Sequence, residues 1–181
     1  PALMVGNPTL VIESGPWAGR KMIELYAEAF TPWEWHETIM LHCEAIELDF
    51  FSTAFDLRAL DFLEHLGVTR HKISSFELVD LELVQAAAAT GKPLILSTGM
   101  ADLNDVVRAV GKCAYEGLKD ITLLHCVSAY PCRAEEANLA RMKRMMQQWN
   151  YPVGLSDHSL GVGVAVAATL MGASMIEKHL T

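Results

Sequence analysis

The fold class this sequence predicts is an α/β barrel, visible in six strand–helix steps where a closed (β/α)8 TIM barrel has eight. Three observations predict it. Short apolar runs alternate with helix-like segments. The runs are apolar throughout rather than every second residue, which suits parallel strands covered by helices. Each run also leads into polar, chemically useful residues: Thr53, Glu77, Thr98, Ser128 with Tyr130, His158 and His179. A barrel places the C-terminal ends of its strands on one face, so these scattered residues are expected to meet there.

The elements follow in order. Residues 1–20 lack a period and carry Gly6, Pro8, Gly15, Pro16 and Gly19, so a loop is expected. A helix is predicted over 20–30, with Met22, Ile23, Leu25, Tyr26 and Ala29 on its apolar face. Thr31 as N-cap and Pro32 at the first helical position start a second helix, which runs to about Glu47. Strands are then predicted over 48–52, 71–75, 93–98, 121–126, 153–156 and 174–178. Between them lie helices over 56–66, 80–90, 103–116, 138–149 and 161–171, mostly closed by glycine. Met142, Met145 and Met146 mark the inner side of the helix over 138–149. The chain reads as one domain, with loop and helices of the barrel rim over 1–47 and strands over 48–181.

Composition narrows the function. The chain has 181 residues, 51% hydrophobic and 20% charged, enough for one sizeable core. Its net charge of −8, without a Lys/Arg cluster, argues against a nucleic-acid partner. A small anionic ligand stays open, because two or three local cations suffice for it. Cys43, Cys113, Cys126 and Cys132 form no CxxC pair and are expected to be free thiols in a reducing cytoplasm. No apolar stretch has the length of a membrane span. A complete barrel usually takes roughly 250 residues, so part of one is expected here.

Several residues carry chemistry. His158 and His179 follow neighbouring strands, where two imidazoles can share a divalent metal, with Asp157 as a partner that orients a ligand histidine. Lys72 opens a strand followed by Ser74, Ser75 and Glu77, and can neutralise a phosphate or carboxylate. It can equally form a Schiff base, as in barrel aldolases. Ser52 with Thr53, and Ser97 with Thr98 and Gly99, add hydroxyls to the same face. Tyr130 either bonds a substrate hydroxyl or packs over the rim, and His125 reads as a satisfied interior residue. Trp33 and Trp35 are expected to pack a helix start on the rim.

Together these stretches resemble the sialic acid synthase family. The matching segments are FFSTAFD (50–56), HKISSFE (71–77), GKPLILSTGM (91–100), LLHCVSAYP (123–131), VGLSDHSLG (153–161) and GASMIEKHLT (172–181). The TPWEWH, SSFE and SAYP segments are most similar to the pseudaminic acid synthase branch, while N-acetylneuraminate and legionaminic acid synthases share the rest. The resemblance implies condensation of phosphoenolpyruvate with an N-acetylated aldose to a nine-carbon sugar, with release of phosphate. It implies that His158 and His179 bind Mn²⁺ or a similar divalent ion, and that Thr53, Lys72, Ser75 and Ser97 hold phosphoenolpyruvate. Glu77, Ser128 and Tyr130 then line the sugar side, with Lys72, Glu77 and Tyr130 as the catalytic group. Ser128 stands where several relatives carry Asn, Ala54 replaces a usual proline, and Leu180 a usual phenylalanine.

By the same resemblance the chain holds strands three to eight of the barrel of a cytoplasmic, homodimeric parent. Two further strands, bearing an acidic residue and a lysine used for phosphoenolpyruvate, are not matched, nor is an antifreeze-like C-terminal domain. The chain is therefore expected to be incomplete for activity and prone to self-association through open strand edges. An N-acetylneuraminate or legionaminic acid synthase, a non-catalytic truncated remnant and a Schiff-base aldolase using Lys72 are the alternative readings.

Overall fold

In the computed structural model, which describes residues 10–13, 15 and 17–180, the chain forms two units, Pro1–Thr69 and Arg70–Thr181. Much of the loop expected over 1–20 lies outside the described residues.

The first unit contains α1 (Met22–Ala29), α2 (Trp33–Ala45) and α3 (Leu57–Leu66). Asp56 starts α3 by accepting a hydrogen bond from the Ala59 N–H at 2.8 Å. Gly67 ends it at φ 84°, in the left-handed region where a side chain is strained. Leu60 and Leu63 are buried beneath it. The start of α2 differs from expectation. Pro32, extended at φ −55° and ψ 137°, is itself the N-cap, and Thr31 lies outside the helix without a capping role. Trp33 stacks on Phe62 with ring centres 4.7 Å apart, whereas Trp35 is 57% exposed.

The strand expected over 48–52 is absent among the described residues: that stretch has no ladder, and only Thr53 makes an isolated bridge. An apolar run states a preference for extended backbone, but a ladder also needs a partner strand in register.

The second unit holds β1 (His71–Ile73), β2 (Leu94–Ser97), β3 (Ile121–Cys126), β4 (Val153–Asp157) and β5 (Ile176–Lys178). The five strands are parallel and lie in chain order. Between them run α4 (Leu81–Ala89), α5 (Leu103–Tyr115), α6 (Leu139–Gln148) and α7 (Gly163–Leu170). Asp80 caps α4, and Asp102 with Asp105 forms a capping box on α5. β1 to β4 are buried almost throughout, β5 only partly. The core is Ile73, Leu94, Leu96, Ile121, Leu123 and Leu155, with Leu83 and Met142 from the helices. Met145 is also buried, while Met146 is only half-buried.

Register and pleat decide which side chains share a face. Lys72 pairs with Ile95, Ser97 with Leu124, Cys126 with Ser156, and Ser156 with Glu177. Lys72, Ser97, Cys126, Ser156 and Glu177 therefore lie on one face, and His125, Asp157 and Lys178 on the other. Four strand spacings separate β1 from β5, about 19 Å in a flat sheet. Yet Lys72 Nζ meets Glu177 Oε2 at 3.1 Å. The sheet must curl until its two edges face each other across a concave side, as in part of a barrel.

His125 points away from that concave side. Its Nε2 donates to the Ala137 carbonyl at 2.9 Å, and its Nδ1 is buried without a hydrogen-bond partner. Burial holds its pKa below the ordinary 6.5; the bond to Ala137 raises it, and the charges of Arg141 and Arg144 lower it further. The neutral ring is thus favoured in the folded state. Its contribution is complete above the ordinary histidine value and is lost as pH falls below it. We expect His125→Gln, which keeps an Nε2 donor, to flatten the loss of unfolding free energy between about pH 7.5 and 5.5. Parallel slopes for wild type and variant in urea titrations would refute this.

Candidate active site

The C-terminal ends of β3, β4 and β5 converge on two imidazoles. His158 follows β4, His179 follows β5, and their ring centres are 5.2 Å apart. Tyr130 lies over both, 4.1 Å from the His158 ring and 5.7 Å from that of His179. His158 Nδ1 is 2.9 Å from the Val127 carbonyl. A carbonyl only accepts, so Nδ1 carries the proton and Nε2 keeps its lone pair. Two imidazoles on one ion, with metal–nitrogen bonds of about 2.1 Å, have ring centres roughly 4.5–5.2 Å apart. The pair fits that spacing. Among the described residues no three His, Cys, Asp or Glu form a fuller metal cluster.

Beside the imidazoles runs a charged pair. Lys72 is buried and bonded to Glu177, whose second oxygen accepts from the Ser156 hydroxyl at 2.6 Å. Glu177 is the site residue that sequence reasoning missed. It was counted only as part of a strand, although the period-two pleat puts it on the face that Lys72 occupies. Ser97 lies on the same face, its Oγ buried and without a hydrogen-bond partner.

A hydroxyl and thiol cluster surrounds Gly99. The Gly99 N–H donates to Ser75 Oγ at 3.0 Å. A Cβ there would stand 2.5 Å from Ser128 Oγ, 2.8 Å from Cys126 Sγ and 3.0 Å from Ser75 Oγ. Glycine lets the backbone approach this group. Cys126 also lies 3.8 Å from His158 Nδ1. Burial pushes the Cys126 thiol up, but bonds with His158, Ser75 and Ser128 outweigh it, so the net direction is down. For His158, burial favours the neutral ring, yet Cys126, the Val127 carbonyl and the charge of Glu177 raise it overall. Cys113, buried away from such partners, is pushed up to about 11. All four cysteines are free.

Other expected residues are placed differently. Glu77 sits on a 3-10 turn, buried, where its carboxylate accepts from the Ser74 hydroxyl. The Thr98 hydroxyl donates to the Leu124 carbonyl at 3.1 Å and so serves the backbone instead of the open face. Asp157 orients no imidazole. Its carboxylate takes Lys178 Nζ at 2.7 Å and both the N–H and hydroxyl of Ser159. The pleat explains this, since Asp157 points to the convex side. Thr53 belongs to the first unit, where it lines a cavity of about 480 Å³ with His36, Ser52, Trp33 and Phe55.

The chain is similar to a pseudaminic acid synthase of Helicobacter pylori, 43% identical over 169 residues, which are 93% of this chain and 50% of that protein. An N,N'-diacetyllegionaminic acid synthase of Campylobacter jejuni is 39% identical over 148 residues, 81% of this chain and 44% of the relative. Among solved structures, the N-acetylneuraminic acid synthetase of Leptospira borgpetersenii, in complex with citrate, superposes with a TM-score of 0.83 at 33% identity. That match covers 88% of this chain and 55% of the other. The chain thus spans about half the length of these relatives. With the NeuB family model matching residues 7–181, the chain belongs to the NeuB family.

Proposed function

We propose that this chain carries the barrel face of a synthase that joins phosphoenolpyruvate to an N-acetylated aldose, giving a nine-carbon sialic-acid-type sugar and phosphate. The observation that carries the reading is the pairing of His158 and His179 with centres 5.2 Å apart, beside the buried Lys72. The pseudaminic product is preferred because the TPWEWH, SSFE and SAYP segments resemble that branch and a pseudaminic acid synthase at 43% identity matches 93% of the chain, whereas a legionaminic acid synthase at the same identity matches 76%. The 39% identity with a legionaminic acid synthase supports that product as the second reading. The curled five-stranded sheet is taken as consecutive strands of the barrel.

In this reading His158 and His179 hold a divalent ion such as Mn²⁺, with water or substrate in the remaining positions. When bound, such an ion supplies Lewis-acid polarisation of the aldehyde oxygen of the open-chain sugar. C3 of phosphoenolpyruvate attacks the aldehyde carbon, water adds at C2, and phosphate leaves by C–O cleavage. Lys72, with Ser75 and Ser97, holds phosphate and carboxylate in line, an effect of position and charge. The buried, unpartnered Ser97 hydroxyl has a bond to offer a ligand. In this reading Ser128 and Tyr130 face the sugar, and Glu77 reaches it only by giving up the Ser74 hydroxyl that its carboxylate now holds. A cytoplasmic, homodimeric parent completes the proposal, and the free thiols support a reducing compartment.

The test is calorimetric titration with phosphoenolpyruvate. Lys72→Met is expected to weaken binding by about tenfold to a hundredfold, the loss of a charge-assisted bond. Unchanged affinity in that variant, or a borohydride-trapped pyruvate adduct on Lys72, would overturn the reading.

A further inference from the structure

The two histidines lie on separate strands, and each strand ends at its imidazole. Something must set their spacing. On the convex side, Lys178 Nζ donates to Asp157 Oδ2 at 2.7 Å and to the Ser159 carbonyl at 2.8 Å. Asp157 Oδ1 in turn accepts from the Ser159 N–H at 2.9 Å and its hydroxyl at 2.6 Å. One ammonium therefore grips the residues on both sides of His158, and it belongs to the residue directly before His179.

The strand register supports the grip, since Asp157 and Lys178 are ladder partners. Alternation turns their side chains to the convex face, and His158 and His179 are the residues that directly follow the two strands. Asp157 and Ser159 are buried, and the Lys178 side chain is 28% exposed. At that burial, removing one partner of the ion pair strands a charge. This network lies on the face of the strands opposite to that of Lys72 and Glu177. Its position suits holding the imidazoles better than touching a substrate.

We infer that Lys178 and Asp157 form a clamp whose task is to fix His158 and His179 at the separation a shared divalent ion requires. Lys178 and Asp157 are then positioning residues, acting through the two imidazoles. The inference deepens the metal reading above and rests on it for its ligand, although the clamp geometry can be tested without any ion.

The experiment uses the full chain as wild type, Lys178→Met, Lys178→Arg and Asp157→Asn. Ring-proton nuclear Overhauser effects between His158 and His179 are recorded without metal. Mn²⁺ affinity is then measured by calorimetry, and the Co²⁺ form by visible absorption. The cross-peak is expected in wild type and Lys178→Arg and is lost in Lys178→Met. Mn²⁺ affinity is expected to fall about tenfold to a hundredfold in Lys178→Met and Asp157→Asn, the usual effect of removing a group that orients a ligand. A Lys178→Met, Asp157→Asn double variant should be little worse than either single one, because both remove the same link. A cross-peak that persists in Lys178→Met, or one missing from wild type, overturns the clamp. A cross-peak lost in Lys178→Met while wild type binds no Mn²⁺ leaves the clamp standing and sinks the metal reading instead. Co²⁺ bands that shift in Lys178→Met and return in Lys178→Arg separate positioning from general loosening, which moves the unfolding midpoint but not the ligand field.

Discussion

Replacing His158 and His179 together with alanine is expected to remove Mn²⁺ binding, with affinity down at least about a hundredfold. Each single variant should lose most of the binding, because one imidazole alone leaves the ion to water. The expectation comes from geometry: ring centres 5.2 Å apart, and a His158 tautomer set by the Val127 carbonyl, which leaves Nε2 free. Calorimetry on the double variant tests it. His65→Ala is the control, on an exposed ring of α3 far along the chain from either imidazole. Retained binding in the double variant would remove His158 and His179 from the metal site. Binding lost equally in the control would point to nonspecific histidine capture.

The second large effect falls on stability. Gly154 sits where β4 and β5 pack most closely. A Cβ there would stand 2.4 Å from the Met175 carbonyl oxygen, 2.8 Å from Leu124 Cδ2 and 3.0 Å from the Met175 carbonyl carbon. Leu124 can rotate, but the Met175 backbone is held in place because its carbonyl accepts from the Leu155 N–H at 2.9 Å. Gly154→Ala must therefore move a strand, and we expect a loss of about 3 kcal/mol, the upper range for overpacking. At this chain length that lowers the melting temperature by roughly 6–12 °C. Gly111, inside α5 with nothing within 4 Å of a built Cβ, gives the opposite sign. Gly111→Ala is expected to stabilise by about 0.5–1 kcal/mol. Thermal unfolding of the pair settles the matter, and a Gly154→Ala midpoint within a degree of wild type would contradict it.

Most helix and strand positions were legible because their signals are local. Asp56, Asp80 and Asp102 each cap the helix they precede, and the apolar runs at 121–126 and 153–156 became β3 and most of β4. The run at 48–52 is also mostly apolar but has no ladder, since pairing depends on a partner that no local pattern reveals. Thr98 was expected to serve the open face, yet its hydroxyl satisfies a carbonyl on the neighbouring strand. Glu177 went unread as a site residue for a related reason. A glutamate between Ile176 and Lys178 gives no hint by itself that its partner is Lys72, more than a hundred positions earlier.

The sequence alone determined the alternation of strands and helices, the family resemblance, and the two histidines at neighbouring strand ends. These follow from periodicity, capping and short motifs, all written within a few residues of one another. Only the tertiary structure decided that Asp157 turns away from the imidazoles to hold Lys178, and that Glu177 reaches across to Lys72. The reason is physical: pleat and register assign each side chain to a face, and sheet curvature brings the two edges together. Neither quantity exists until the strands have paired.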